Sequence, residues 1–150
     1  MKRTIWFDMD GTIADLYAVP NWLPKLRAAD PSPYAEAEVM HNMSQLARLL
    51  NKVQALGYTI GIISWLSKAS TAEYDKAVAQ AKLNWLNQHL HSVSFDFIHI
   101  EAHGTPKQTF MVTDHDILFD DEEKNRNDWT GEAHTPSEIL SVLKGLIEEG

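Results

Sequence analysis

The sequence has no cysteine, no long apolar run and few basic residues. Without cysteine the chain can form no disulfide and has no thiol nucleophile, which fits a reducing compartment. No stretch is apolar and long enough to span a bilayer, and acidic residues interrupt the N-terminal segment before an apolar run of signal-peptide length. We therefore expect a cytoplasmic protein with no membrane partner.

Acidic residues outnumber basic ones, 21 against 13, which gives a net charge of −8 at pH 7. A field of this sign repels phosphate backbones and anionic lipids, so nucleic-acid polymers are disfavoured as partners. The chain is 150 residues long, with 44% hydrophobic and 23% charged residues. These are ordinary globular values, and we expect residues 1–150 to form a single domain.

One segment combines an apolar run with two acids and a Gly-Thr turn: Ile5-Trp6-Phe7-Asp8-Met9-Asp10-Gly11-Thr12. Alternate residues of a strand point to the same face, so Asp8 and Asp10 would leave the end of a buried strand side by side. Such a pair can hold a hard cation, and one carboxylate can attack a phosphorus atom whose charge the cation neutralises. An isolated match is also compatible with a strand that ends in a solvated acidic turn.

Three later segments place polar side chains after apolar runs or on a turn. Residues 58–64 are apolar and β-branched and end in Ser64, and residues 104–107 place Lys107 on a turn. Residues 116–121 form another apolar run, which ends in two acids. Each polar side chain is expected on a loop at the end of a strand. Considered alone, Ser64 and Lys107 would be ordinary exposed residues, and only the shared order of the motifs indicates a role for them.

This ordered set resembles the motifs of the haloacid dehalogenase (HAD) superfamily of phosphohydrolases. The residues that carry the resemblance are Asp8, Asp10, Ser64, Lys107, Asp120 and Asp121. Shorter strings, at residues 8–16, 82–86 and 118–121 with Asn125, resemble the 5′(3′)-deoxyribonucleotidase group. The resemblance spans nearly the whole chain. It implies an α/β class, with a three-layer Rossmann-like HAD fold, a central parallel sheet and a small cap inserted after the first strand.

Hydrophobic periodicity is consistent with that architecture. It predicts helices over residues 34–56, 71–90 and 136–149, and strands at the N-terminal motif and over residues 58–64, 95–100 and 117–120. Strands that alternate with helices favour a parallel sheet whose loops meet at one crevice. Four prolines interrupt residues 15–33 and permit only short helical turns there. This segment is therefore the candidate for a minimal cap.

The resemblance implies a phosphatase that uses two acids in different roles. Asp8 would be the nucleophile that forms an aspartyl phosphate, and Asp10 would be the general acid and base. The phosphate-binding residues would be Ser64, Lys107 and the loop positions Gly11, Thr12 and Trp65. In this mechanism Asp10 is protonated when the substrate binds, because the like charge of Asp8 raises one of the two pKa values.

Mg²⁺ is the cofactor that the resemblance implies. Its ligands would be Asp8, the backbone carbonyl of Asp10, Asp120 and Asp121. Which of the last two acids binds directly is left open, since one can act through water or through Lys107. Asn125 could either bond the last motif loop or cap a helix.

The subgroup resemblance implies a small phosphorylated substrate, a nucleoside monophosphate. The candidate aromatic wall against its base consists of Tyr17, Trp22 and Trp65, although these rings could equally pack within the cap, as could Tyr34. The cap segment is shorter than the helical lid expected of that group.

Three other functions share some of these features. One is a phosphatase for another small ester, such as a sugar phosphate, and another is a non-catalytic phosphate-binding protein. The third is a phospho-accepting receiver, in which the phosphorylated Asp ends a later strand. The acid pair followed by Gly-Thr comes first here, which favours the hydrolase. The sequence gives no indication of oligomeric state.

Overall fold

The computed structural model, which describes residues 2–68 and 70–150, is built around a five-stranded parallel sheet. The described strands are β1 (Thr4–Phe7), β2 (Ala14–Asp15), β3 (Glu38–Val39), β4 (Thr59–Trp65), β5 (Phe97–Glu101), β6 (Ile117–Phe119) and β7 (Glu132–His134). The central sheet has the order β5-β4-β1-β6-β7, and all its pairings are parallel. Strands β2 and β3 form a separate antiparallel pair.

Helices flank this sheet. They are α1 (Trp22–Arg27), α2 (Ser32–Glu36), α3 (Met43–Ala55), α4 (Ala72–His89), α5 (Glu123–Asp128) and α6 (Ile139–Glu149). Short 3-10 helices occur at Leu16–Ala18, Lys107–Phe110 and Pro136–Glu138. The architecture confirms the predicted α/β class with a central parallel sheet and a small insertion after the first strand. No helix in the described residues is both long and apolar enough to cross a membrane.

Strand β1 lies at the centre of the sheet because both of its faces are apolar. Ile5, Trp6 and Phe7 are all buried, as are the facing residues of β4 and β6. The Trp6 ring packs directly over Gly61 of β4, where a Cβ atom would overlap the ring. A strand buried on both faces is typical of a parallel sheet covered by helices.

The predicted helix over residues 34–56 is wrong in its first half. In the structure α2 ends at Glu36, the chain pairs as β3, and α3 begins only at Met43. The Asn42 side chain accepts a hydrogen bond from the Gln45 backbone N–H and so caps α3. The apolar spacing of α3 predicted its body, but an N-cap residue inside an apparently continuous pattern starts the helix later.

The predicted helices over residues 71–90 and 136–149 agree with α4 and with the terminal 3-10 turn followed by α6. Strand β7 was not predicted. It is three residues long, contains Glu132 and His134, and pairs with β6 at the edge of the sheet. A short, polar edge strand carries almost no hydrophobic pattern, so its pairing is determined by the neighbouring strand.

The carboxylate of Asp116, the residue before β6, makes hydrogen bonds with β1 and with the loop that precedes β6. It is fully buried and accepts hydrogen bonds from the Thr4 N–H at 2.9 Å, the Trp6 indole N–H at 3.1 Å and the Val112 N–H at 2.7 Å. Burial by itself would raise the pKa of Asp116, but hydrogen bonds from Thr113, Thr4 and Trp6 outweigh it and lower that pKa. The ionised form is therefore the one that the fold stabilises.

We expect Asp116→Asn to lower the free energy of unfolding by about 2–4 kcal/mol, because an amide nitrogen cannot accept from donors that remain buried. Asp114→Asn, at an exposed neighbouring position, is the control. The pKa of Asp116 is lower in the folded than in the unfolded chain, so its contribution is present above the unfolded value and lost as pH falls through the folded value. Urea unfolding should show a large difference from wild type at neutral pH and a smaller one in acid. Equal stability of Asp116→Asn and wild type at neutral pH would contradict this.

Candidate active site

The carboxyl ends of the central strands bring together polar residues that are far apart in sequence. Asp8 follows β1, Ser64 is the penultimate residue of β4, and Asp120 follows β6. Lys107 comes from the 3-10 helix after β5. Loops at this edge of a parallel sheet converge on one crevice, which is the usual location of a ligand site in such folds.

Lys107 connects two of these segments. Its Nζ lies 2.8 Å from Asp8 Oδ1 and 2.8 Å from Asp120 Oδ2, and its side chain is 3% exposed. Burial by itself would lower the pKa of Lys107, but the negative charges of Asp8 and Asp120 outweigh it and raise that pKa. Lys107 is therefore a permanent cation held between two carboxylates.

Hydrogen bonds fix both of these carboxylates. The Thr12 hydroxyl donates to Asp8 Oδ2 at 2.9 Å. The Glu122 N–H donates to Asp120 Oδ1 at 2.9 Å, and the Asn125 amide donates to Asp120 Oδ2 at 3.1 Å. Asn125 therefore bonds the last motif loop, which is one of the two alternatives that the sequence left open.

Three carboxylates form a cluster beside Lys107. One oxygen each from Asp8, Asp120 and Asp121 lie within 4.8 Å of one another. Burial and the negative charge of Asp8 raise the pKa values of Asp120 and Asp121. Hard divalent cations such as Mg²⁺ prefer oxygen ligands, and a cation would relieve the repulsion that raises these pKa values. The donor set therefore fits the magnesium that the resemblance implies.

Gly11 permits the close approach of the loop to this cluster. Its φ of +80° is in the left-handed region, and a Cβ there would overlap the Asp121 carboxylate and lie 2.9 Å from the Tyr17 ring. Any other residue at this position would move the Asp121 carboxylate or the Tyr17 ring, which both border the cavity described below.

The carboxylate of Asp10 forms an ion pair with a different cation, Lys82. Lys82 of α4 places its Nζ 2.9 Å from Asp10 Oδ2, 2.6 Å from Ser64 Oγ and 2.7 Å from the Trp65 carbonyl oxygen. Burial and the charge of Asp8 raise the pKa of Asp10, although Lys82 acts in the opposite direction. The side chain of Asp10 is therefore outside the carboxylate cluster, and its backbone carbonyl is the atom expected from the sequence to bind the metal.

Sequence reasoning did not identify Lys82 as a site residue. In the sequence it begins the string at residues 82–86 that resembles the nucleotidase group. One feature of the sequence could have identified it. Lys82 lies four residues after Val78, on the inward face of α4, and a lysine on an apolar helix face needs a buried partner. In the structure the Lys82 side chain is 1% exposed, and its partner is Asp10.

A cavity of about 580 Å³ opens above these groups. Asp8, Asp10, Lys107, Asp120 and Asp121 line its floor, and the three aromatic residues predicted as a wall, Tyr17, Trp22 and Trp65, also line it. The Tyr17 and Trp22 rings meet edge-on with centroids 5.0 Å apart, and the Lys107 Nζ lies 5.2 Å from the Trp65 ring centroid. The aromatic rings and the charged groups therefore border the same space.

Three residues expected to bind phosphate do not line this cavity, as far as the described chain goes: Gly11, Thr12 and Ser64. The side chains of Thr12 and Ser64 are fully buried. Thr12 donates to Asp8, and Ser64 accepts from Lys82. In the structure both hydroxyls therefore form hydrogen bonds with other site residues and do not line the cavity themselves.

No protein-family model and no curated protein sequence matches this chain. Among solved structures, the D,D-heptose 1,7-bisphosphate phosphatase from Burkholderia thailandensis superimposes with a TM-score of 0.55 at 11% identity, covering 97% of this chain and 99% of that chain. The same enzyme from B. bronchiseptica, complexed with magnesium and phosphate, gives a TM-score of 0.55 at 13% identity over 99% and 100% of the two chains.

These similarities show a shared fold, which is the HAD-type Rossmann-like fold that the resemblance implied. The HAD domain of the effector protein Lem4 from Legionella pneumophila is more distant, with a TM-score of 0.43 at 14% identity over 98% of this chain and 94% of that chain. The two structures with TM-scores of 0.55 are both heptose bisphosphate phosphatases, so the comparisons do not support the finer resemblance to deoxyribonucleotidases.

We expect Mg²⁺ to raise the melting temperature of the protein, because a ligand that binds only the folded state stabilises it and because a cation relieves the repulsion in the cluster. Asp121→Asn should remove most of this shift. Glu149→Gln removes one negative charge from an exposed position on α6 and should keep it. Thermal unfolding across a Mg²⁺ titration measures the effect, and an Asp121→Asn variant with the wild-type shift would contradict the cluster as the metal site.

Proposed function

We propose that this protein is a Mg²⁺-dependent phosphomonoester hydrolase that acts through an aspartyl phosphate on Asp8. The observation that carries the proposal is the position of Asp8, which is bonded to Lys107 and also belongs to the carboxylate cluster. The magnesium and phosphate in a structure with the same fold, together with the motif resemblance, support it.

Asp8 is placed to attack because it lines the cavity while Lys107 and Thr12 hold its carboxylate in one orientation. Fixed orientation of a reacting group lowers the entropic part of the barrier. Mg²⁺ bound by Asp8, Asp120 and Asp121 would reduce the repulsion between the attacking carboxylate and the phosphoryl group.

Lys107 can stabilise the phosphoryl group directly. An ammonium group carries three hydrogens, and two of those on Lys107 are directed at Asp8 and Asp120. The third is available to a phosphoryl oxygen in the cavity, which Lys107 lines. A cation fixed beside the reacting phosphorus stabilises the charge of the transition state.

Asp10 is the proposed general acid and base. It lines the cavity two residues after the nucleophile, and its raised pKa favours the protonated form in which it can donate to the leaving group. After the leaving group departs, the resulting carboxylate can take a proton from the water that hydrolyses the aspartyl phosphate.

Asp8→Asn should lower turnover of p-nitrophenyl phosphate by several orders of magnitude, because an amide cannot act as the nucleophile. The variant keeps the size of the side chain and a carbonyl oxygen for Lys107, so we expect a folded protein in thermal unfolding. Asp15→Asn, a few residues further along the same segment, should retain activity. Near-wild-type turnover by Asp8→Asn would show that another residue is the nucleophile.

For the substrate, we propose a nucleoside monophosphate that is held under a cap at residues 15–33. The cap contributes Tyr17 and Trp22 to the cavity, and Trp65 contributes a further ring beside Lys107. Stacking of a base on an aromatic side chain contributes roughly 1–3 kcal/mol. Leu16 of the cap and Tyr34 of α2 pack against α4, which holds this segment over the site.

A second candidate is a substrate with a second anionic group, such as a sugar bisphosphate. Arg27, Lys68 and His103 line the same cavity as the aromatic rings. The positive charges of Arg27 and Lys68 would suit a second phosphate or carboxylate. A screen of phosphomonoesters that includes nucleotides and sugar bisphosphates distinguishes the two candidates.

If the rings bind a base, Trp65→Ala should lower kcat/KM for a nucleoside monophosphate at least about tenfold more than for p-nitrophenyl phosphate. Because Trp65 also contacts Lys107, Trp22→Ala serves as a second variant, in the cap. It should likewise lower kcat/KM more for the nucleotide than for p-nitrophenyl phosphate. Equal losses on both substrates would mean that the rings only support the fold. A wild-type preference for sugar bisphosphates would favour the second candidate.

A further inference from the structure

A second buried ammonium group lies beneath Asp10. Lys82 is 1% exposed and does not line the cavity within the described chain, whereas Asp10 lines it. Lys82 donates to Asp10 Oδ2, to Ser64 Oγ and to the carbonyl oxygen of Trp65. An ammonium group has three hydrogens and no lone pair, so Lys82 has no hydrogen left for a phosphoryl oxygen.

We propose that Lys82 and Ser64 are positioning residues that hold the carboxyl group of Asp10 in the orientation in which it protonates the leaving group. The inference rests on the proposed phosphatase function. Because Lys82 can only donate, Asp10 Oδ2 accepts from it. The hydrogen that Asp10 delivers is therefore carried by Oδ1, the oxygen not held by Lys82.

Ser64 acts through Lys82 in this arrangement. Its side chain is fully buried, and its oxygen lies 2.6 Å from Lys82 Nζ. Together with the Trp65 carbonyl oxygen, it fixes the ammonium group at the end of β4. This differs from the direct phosphate contact expected of Ser64 from the sequence. Through Lys82, these hydrogen bonds connect Asp10, on the loop after β1, to the neighbouring strand β4.

The Tyr34 ring of α2, next to the cap, covers another side of this ammonium group. The Lys82 Nζ lies 4.9 Å from the centroid of the Tyr34 ring, and Tyr34 is buried. A ring face at this distance attracts a cation and excludes water from it. Hydrogen bonds shielded from water hold their geometry more firmly than exposed ones, so Asp10 has little freedom to rotate.

The two chemical steps show why that orientation matters. In the first, an Asp8 oxygen bonds to phosphorus, the ester P–O bond breaks, and the hydrogen of Asp10 moves to the departing oxygen. In the second, Asp10 takes a proton from water, the water oxygen bonds to phosphorus, and the bond from phosphorus to Asp8 breaks. Asp10 is a carboxylate between the steps, and the charge of Lys82 stabilises it there.

Phenyl phosphate and p-nitrophenyl phosphate test the inference, because they are alike in shape and differ in their need for a proton on the leaving group. The quantity to measure is kcat/KM, which reports the steps up to leaving-group departure. We expect Lys82→Met to lower kcat/KM for phenyl phosphate at least about tenfold more than for p-nitrophenyl phosphate, since general acid catalysis contributes about 10²–10⁴-fold. A merely structural role would lower both values equally.

Ser64→Ala keeps the ion pair and serves as a second variant if Lys82→Met does not fold. It should show the same dependence on the leaving group, whereas a serine that binds phosphate would lower kcat/KM equally for both esters. Lys76→Met, at an exposed position on the same helix, should leave both values unchanged. If folded Lys82→Met and Ser64→Ala each lose kcat/KM equally on the two esters, the inference is overturned while the proposed function stands. A wild type that hydrolyses neither ester would overturn the proposed function.

Discussion

The ion pairs of Lys107 with Asp8 and Asp120 are the interaction on which the site depends. They join the ends of β1 and β6 to the loop after β5 at N–O distances of 2.8 Å. Three carboxylates could not lie so close together in a buried site without a compensating charge. Removing one partner of a buried pair typically costs about 3–5 kcal/mol. The same ammonium group therefore stabilises the fold and keeps the carboxylates in position for a metal ion.

A second cation allows two nearby acids to behave differently. Asp8 is bonded to Lys107 and belongs to the carboxylate cluster, whereas Asp10 is bonded to Lys82 and lies outside it. Burial and the charge of Asp8 raise the pKa of Asp10. Environments that separate the properties of two titratable groups are the usual basis for assigning acid and base roles in catalysis. The alternation of side chains in a strand places the two acids together, and the two lysines distinguish them.

The sequence predicted the parallel sheet and the convergence of Asp8, Lys107 and Asp120, because apolar runs that end in polar residues indicate the carboxyl ends of buried strands. The sequence could not predict in this way which charged side chains pair with one another inside the site. The pairing of Lys82 with Asp10 depends on how α4 packs against β4, and periodicity does not encode that arrangement. Thr12 and Ser64 have the residue types expected in a phosphate site. Their burial follows from tertiary packing, which motif spacing does not report.

The covalent intermediate is the central claim, and rapid-quench mass spectrometry tests it most directly. Wild-type protein mixed with Mg²⁺ and p-nitrophenyl phosphate is quenched in acid during turnover, digested with pepsin at low pH, and searched for phosphorylated peptides. The account predicts one added phosphoryl group, on the Asp8 carboxylate, that disappears after treatment with hydroxylamine. A phosphoryl group on any other residue, or hydrolysis through several turnovers with no phosphorylated peptide at any quench time, would contradict it.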